Sequence, residues 1–321
     1  MKDQYGREID YLRLSITDRC NLRCTYCMPE GCQWLPMSDI LTFEELETVC
    51  RLGAELGIRK LKVTGGEPLV RRGCVELIRA LKALPGIEQV TLTTNGVLLA
   101  QSAAALRDVG VDGVNVSLDS LDPAAFARIT GRDCLSEVLR GIDAALNQGL
   151  KVKLNTVLQP GRNDDQWPGL LELARDRALD VRFIEMMPIG LGRGVPGISN
   201  RDLLAWMEER YGPLPEDTRS HGNGPAVYRT IPGFRGSVGF ISAIHGKFCD
   251  QCNRVRLSST GWLKGCLCYG DGADLREPLR KGDLEVVRER FAGVVRTKPR
   301  AHCFDRPAEM TERQEMSKIG G

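Results

Sequence analysis

Three cysteines near the amino terminus, Cys20, Cys24 and Cys27, stand in a C-x3-C-x2-C run with Tyr26 between the last two. Thiolates hold iron–sulfur clusters, and a 4Fe–4S cubane normally takes four. Three thiolates on one loop leave a corner iron open to a small molecule. The competing reading is a zinc loop or unrelated thiols, although zinc sites usually pair C-x2-C units with a fourth ligand. A second set lies far downstream, Cys249-Asp-Gln-Cys252 followed by Cys266-Leu-Cys268. On spacing alone this set reads equally well as a second cluster or as a structural zinc site with four thiolates. Cys32, Cys50, Cys74, Cys134 and Cys303 read as buried thiols, and His221, His245 and His302 are scattered without forming a defensible site.

The elements that must position these groups are legible from periodicity. Six segments read as strands, about 10–17, 60–64, 89–95, 113–119, 151–158 and 180–187. Helical patterns separate them, clearest over 43–57 and 136–148, the first opened by the capping box Thr42-Phe-Glu-Glu45 and stopped at Gly57. Alternating β and α predicts a parallel sheet. Parallel strands normally read as continuous apolar runs because both faces are buried, yet these alternate. Leu12, Leu14 and Ile16 oppose Arg13, Ser15 and Thr17; Leu61 and Val63 oppose Lys60, Lys62 and Thr64; Val152 and Leu154 oppose Lys151, Lys153 and Asn155. The sixth strand alone does not alternate cleanly. Helices over the apolar face and a polar, wet lumen explain the pattern; a solvated antiparallel face would match it too, but the intervening helices disfavour that. The expected fold is α/β, a partial (β/α)6 TIM-type barrel over 1–190 with a cluster-binding extension over 191–321.

In that barrel Arg13, Lys62 and Lys153 point inward, a cost that only a bound anion relieves. After the second strand, Thr64-Gly65-Gly66-Glu67-Pro68 offers paired glycines for close backbone approach to a ligand and a carboxylate for an ammonium group. Thr93-Thr-Asn-Gly96 and Asn115-Val-Ser117-Leu-Asp119 end their strands at the same mouth. Arg254 and Arg256 share one face of a later strand, and Arg suits phosphate through bidentate contacts.

Composition bounds the rest. The 321 residues are 42% apolar and 27% charged, as in ordinary globular proteins. Twelve cysteines and no apolar leader lead us to expect a reducing, cytoplasmic setting. A formal net charge of +2 gives no footprint for nucleic acid, and no apolar run is long enough to span a membrane.

The run Cys20-x3-Cys24-x-Tyr26-Cys27 resembles the signature of the radical S-adenosylmethionine (SAM) superfamily. Together with TGGEP, RFIE, the FCDQCNRVRLSSTG block, Cys266 and the final Gly320-Gly321, the whole chain resembles the GTP 3′,8-cyclase family of molybdenum cofactor biosynthesis. The resemblance implies a lyase. A 5′-deoxyadenosyl radical made from SAM removes hydrogen from C3′ of GTP, and the sugar radical closes onto C8 to give (8S)-3′,8-cyclo-7,8-dihydroguanosine 5′-triphosphate. By the same resemblance, Cys20, Cys24 and Cys27 hold the SAM cluster, and Cys249, Cys252 and Cys266 hold a second 4Fe–4S cluster that binds guanine. Tyr26, Gly66, Ser117 and Met187 match SAM contacts; Arg13, Lys62, Thr93, Lys153, Arg254 and Arg256 match GTP contacts. The twin-glycine tail is needed for activity, as are Arg13, Arg254 and Arg256. An electron donor and the next enzyme of the pathway, cyclic pyranopterin monophosphate synthase, are the implied partners, and a homodimer is one assembly the family allows. Two departures stand out: Lys62 where Arg is common, and Cys268, a thiol able to compete as a fourth ligand. The rival readings are a peptide-modifying enzyme of the same superfamily and a non-catalytic zinc- or cluster-binding protein.

Overall fold

The computed structural model describes residues 1–28 and 31–319. The six expected strands are all present: β1 (Tyr11–Ser15), β2 (Lys60–Thr64), β3 (Gln89–Thr94), β4 (Gly113–Ser117), β5 (Val152–Thr156) and β6 (Leu179–Ile184). Each pairs in parallel with the next. Between them run α1 (Phe43–Glu55), α2 (Cys74–Ala83), α3 (Leu99–Asp108), α4 (Pro123–Thr130), α5 (Leu135–Asn147) and the short α6 (Trp167–Glu172). The capping box forms as read: Thr42 Oγ1 accepts from Glu45 N and Glu45 Oε2 accepts from Thr42 N. Gly57 then turns the chain with φ +104°, a left-handed conformation in which glycine carries no Cβ penalty.

The apolar face of the sheet is sealed by the helices. Leu12, Leu14, Leu61, Val63, Val90, Leu92, Val116, Leu154 and Val181 are all fully buried in one core. Burying each such side chain stabilises by about 1.5–3 kcal/mol, so this face fixes the register that turns the polar residues the other way.

After β6 come α7 (Asn200–Tyr211), β7 (Val227–Thr230), β8 (Ser237–Ile241), β9 (Arg254–Leu257), β10 (Trp262–Lys264), β11 (Ala273–Asp274), α8 (Arg276–Arg280), α9 (Leu284–Arg296) and α10 (Met316–Ile319). These strands extend both ends of the same sheet, whose order among the described residues is β11-β10-β9-β1-β2-β3-β4-β5-β6-β8-β7. β9 lies parallel to β1, and β8 parallel to β6. Local periodicity could not announce these pairings, because β9 follows β1 by some 240 residues and nothing in either segment's own pattern names its partner. No described helix is long and apolar enough to cross a membrane.

Candidate functional site

The register places the cations side by side. Arg13 on β1 is opposite Lys62 on β2 and, on its other flank, opposite Arg256 on β9; Tyr11 is opposite Arg254. Farther round, Asn115 pairs with Lys153, and Asn155 with Arg182. Arg13, Lys62, Thr93, Arg182, Arg254 and Arg256 all line one cavity on the polar side of the sheet. Lys62 and Arg182 also line an adjoining chamber at the other ends of the strands, with Lys153.

No Asp or Glu is among the described residues lining the upper cavity. The electrostatic consequence is severe. Burial, then repulsion from Arg254 and Arg182, lowers Arg13 to about 10. Burial and the cations Arg182, Arg13 and Lys153 drive Lys62 well below the usual lysine value. Burial lowers Arg256 strongly too, with Arg13 and Arg254 adding to it. Lys153 falls to about 8, through burial and then Arg182. Like charges gathered at this density favour an anion among them.

The second cysteine set opens onto the same space. Cys249, Cys252 and Cys266 line the cavity beside Arg254 and Arg256. Arg254 Nη2 lies 3.9 Å from Cys252 Sγ, and His302 N donates to Cys249 Sγ at 3.5 Å. Burial pushes the Cys252 thiol up, but Arg254 and Lys298 outweigh it and bring it to about 6. Cys268 does not join them. It is fully buried and faces Cys303, with the sulfurs 2.9 Å apart, so the fourth thiol that could have closed the site is turned away.

The first cysteine loop leaves β1 at the strands' carboxyl ends. The paired glycines pack closely on the backbone of this loop. Gly66 N donates to Thr17 O and Glu67 N to Arg19 O, both at 2.8 Å. A Cβ on Gly65 would come within 2.7 Å of Thr17 O, and one on Gly66 would run into the Asp18 and Arg19 carbonyls. Glu67 has its carboxylate engaged within the protein. It is 1% exposed and accepts from Leu69 N, Asn95 N and Thr94 Oγ1. It thereby ties the end of β2 to the end of β3, while burial raises it to about 7. Asn95 in turn reaches Asn21 and, at 3.7 Å, Cys20 Sγ. Tyr26 is anchored by its hydroxyl, which donates to Asp119 at 2.7 Å. Burial holds all three thiols up, Cys27 to about 12 and Cys24 well above the ordinary value, with mutual repulsion and Asp119 adding to it. A bound metal displaces such protons.

Among the described residues no three donors converge on one point where a single metal ion could sit. Cys20, Cys24 and Cys27 share one loop and lie close enough to repel one another, as thiolates that each hold one iron of a cluster do. Met187 lines the cavity with Cys249, Cys252 and Cys266, and Ser117 ends β4 beside Asn155. Gly320 and Gly321 lie outside the described residues. Cys50, Cys74, Cys134 and Cys303 are buried as read, whereas Cys32 is only partly covered.

Sequence reading missed three cavity residues. Arg182 is on the strand whose alternation looked broken; Ile184, an apolar residue on the polar face, broke it, and both line the cavity. Lys298 is 2% exposed, donating to the Arg254 and Gly265 carbonyls, and so clamps the start of β9 to the loop that carries Cys266. His302 stacks on Phe304 with centroids 4.4 Å apart. Neither lies in a periodic element, so only the tertiary fold reveals them.

A partial barrel with three thiols on the loop after its first strand defines a radical SAM protein, and comparison with known proteins bears this out. Residues 14–174 match the model of the radical SAM superfamily, and residues 179–304 that of Molybdenum Cofactor Synthesis C. The fold resembles that of Streptococcus suis SuiB bound to S-adenosylmethionine, with a TM-score of 0.62 at 13% identity, covering 90% of this chain and 68% of that one. GTP 3′,8-cyclases of Petrotoga mobilis and Pelotomaculum thermopropionicum are each 44% identical over the full length of both chains, and that of Peptoclostridium acidaminophilum is 46% identical over 99% of this chain and 98% of its own. The chain belongs to the GTP 3′,8-cyclase family.

Proposed function

We propose that this chain is a radical SAM lyase that cyclises GTP to (8S)-3′,8-cyclo-7,8-dihydroguanosine 5′-triphosphate in molybdenum cofactor biosynthesis. The observation that carries the reading is the carboxylate-free cavity shared by Arg13, Lys62, Arg182, Arg254, Arg256 and three thiols. A triphosphate is complementary in charge to the cations that line this cavity. Arg13 and Arg256, adjacent in register, offer planar forks for bidentate phosphate contacts, and Lys62 adds a point charge. Thr93 and Lys153 complete the proposed nucleotide contacts on β3 and β5.

Cys20, Cys24 and Cys27 are the ligands of a 4Fe–4S cluster, and Tyr26, Gly66, Ser117 and Met187 are the proposed contacts to SAM. With Tyr26 and Glu67 spent on internal hydrogen bonds, their contribution is to hold the loop and strand ends rigid around the ligand. Cys249, Cys252 and Cys266 suit a second 4Fe–4S cluster, and the diversion of Cys268 to Cys303 leaves that set at three thiols, with a corner free for the guanine. When bound, the first cluster and SAM supply the 5′-deoxyadenosyl radical that abstracts hydrogen from C3′. The chain holds C3′ toward the first cysteine loop, folds C8 over it, and excludes water from the radical. The twin glycines Gly320 and Gly321 are proposed to act in the same reaction.

A non-catalytic zinc protein is disfavoured because it gives no role to the cations that line the cavity beside the second cysteine set. A peptide substrate is disfavoured by the buried cations. We place the enzyme in the cytoplasm, served by an electron donor and followed by cyclic pyranopterin monophosphate synthase, with a homodimer left open. The test is 5′-deoxyadenosine formation by anaerobically reconstituted enzyme with SAM and reductant. GTP should stimulate it strongly and ATP weakly; indifference to nucleotide would overturn the substrate.

A further inference from the structure

Two thiols outside both ligand sets meet in a small apolar cluster. Cys268 and Cys303 are fully buried with Ile189, Leu267, Phe304, Met310 and Ile319. Their sulfurs are 2.9 Å apart, and Cys303 N donates to Cys268 Sγ at 3.2 Å. A disulfide needs sulfurs at about 2.05 Å, so closure asks for less than an ångström of movement. The pair joins two functional segments. Cys268 is two residues past Cys266, on the loop that lines the cavity. Cys303 opens the stretch that runs to the carboxyl terminus. Other contacts already hold these segments together: Glu312 N donates to Cys268 O, Gly270 N donates to Thr311 Oγ1, and buried Lys264 pairs with buried Glu312. The residues after Phe304, 305–309, are exposed, which gives a route for local opening.

We propose that Cys268 and Cys303 are a redox couple that closes to a disulfide by exchange with a low-molecular-weight disulfide. This deepens the reading above, since it rests on Cys266, and not Cys268, being the ligand. In the exchange one cysteine thiolate attacks the small disulfide, releasing one small thiol and leaving a mixed disulfide; the second cysteine displaces the other small thiol. The two cysteines lose two electrons and two protons, and the small disulfide gains them. Closure staples the terminal segment to the loop carrying Cys266 and removes Cys268 from competition for iron. Disulfides that persist are rare in reducing compartments, so the couple is reversible rather than structural.

The test is to equilibrate the anaerobic holoenzyme in glutathione buffers of graded oxidised-to-reduced ratio, trap thiols with N-ethylmaleimide under denaturing conditions, and map tryptic peptides. The expected product joins peptide 265–276 to peptide 301–313, with fragment ions placing the bridge on Cys268 and the maleimide on Cys266. It disappears on return to reduced glutathione. Cys303→Ser should abolish it while keeping the iron content of the parent, and the parent but not the variant should gain several degrees in Tm under oxidising buffer. A bridge through Cys266, or both thiols alkylated at every ratio, overturns the couple. If Cys303→Ser keeps its iron but the parent shows no nucleotide-dependent SAM cleavage, the functional reading fails while the couple stands.

Discussion

At the first cysteine centre the neighbours are apolar and acidic; at the second they are basic. Cys20, Cys24 and Cys27 are raised by burial, with Glu67, Asp119 and Glu315 adding to the effect. Cys252 is brought down to about 6 by Arg254 and Lys298 in spite of burial. The difference follows from what each centre faces. The first is built from strand ends and a loop whose polar groups are consumed internally, leaving little charge for a ligand beyond the backbone. The second shares its cations with the cavity, so the groups that favour the Cys252 thiolate are also suited to phosphate, while burial raises Cys249. On the proposed function, the first centre would be a mount for the radical source and the second part of the substrate's own electrostatic pocket.

The sharpest way to break this comparison is to remove one thiol from each. Cys24→Ala should abolish SAM cleavage to background. Cys252→Ala should keep nucleotide-independent SAM cleavage but lose its stimulation by GTP, and iron should fall from about eight to about four per chain. Equal loss of SAM cleavage in both variants would erase the distinction.

A smaller effect is expected from the cations. Truncating one partner of a desolvated charge contact costs about 2 kcal/mol or more, so Arg256→Met should weaken GTP binding about 30-fold, measured by calorimetry. The same change removes the repulsion between Arg256 and its neighbours Arg13 and Arg254. GTP binding of parent strength in Arg256→Met would take Arg256 out of the nucleotide site.

Smaller still is the pH dependence. Lys153 is lowered to about 8 in the free protein, and a bound anion raises it again. Nucleotide affinity should therefore be flat below pH 7, where Lys153 is already charged, and decline as pH rises past 8, with proton uptake on binding. Titrations in buffers of different ionisation enthalpy check both. Lys153→Met should flatten the decline.

Much of this site could be read before the fold was known, for a physical reason. A two-residue period in β1, β2 and β5 fixes which side chains face the lumen, so Arg13, Lys62 and Lys153 followed from local sequence alone. Arg254 and Arg256 shared a face by the same rule. Their junction with Arg13 did not follow, because the β9–β1 pairing is non-local. Arg182 was hidden by Ile184, which makes the polar face of β6 look apolar at its end. Lys298 and His302 sit on irregular backbone and carry no period at all. The glycine pair's packing on the protein's own Thr17–Arg19 backbone was not legible, since a need for close approach does not name what approaches.

The most direct test of the account is the fate of the hydrogen at C3′. Enzyme given GTP deuterated at that carbon, with SAM and reductant, should yield 5′-deoxyadenosine carrying deuterium, and Arg256→Met should reduce the yield without changing the label's position. Unlabelled 5′-deoxyadenosine formed at the parent rate would contradict the claim that the cationic cavity aims the nucleotide's sugar at the first cysteine centre.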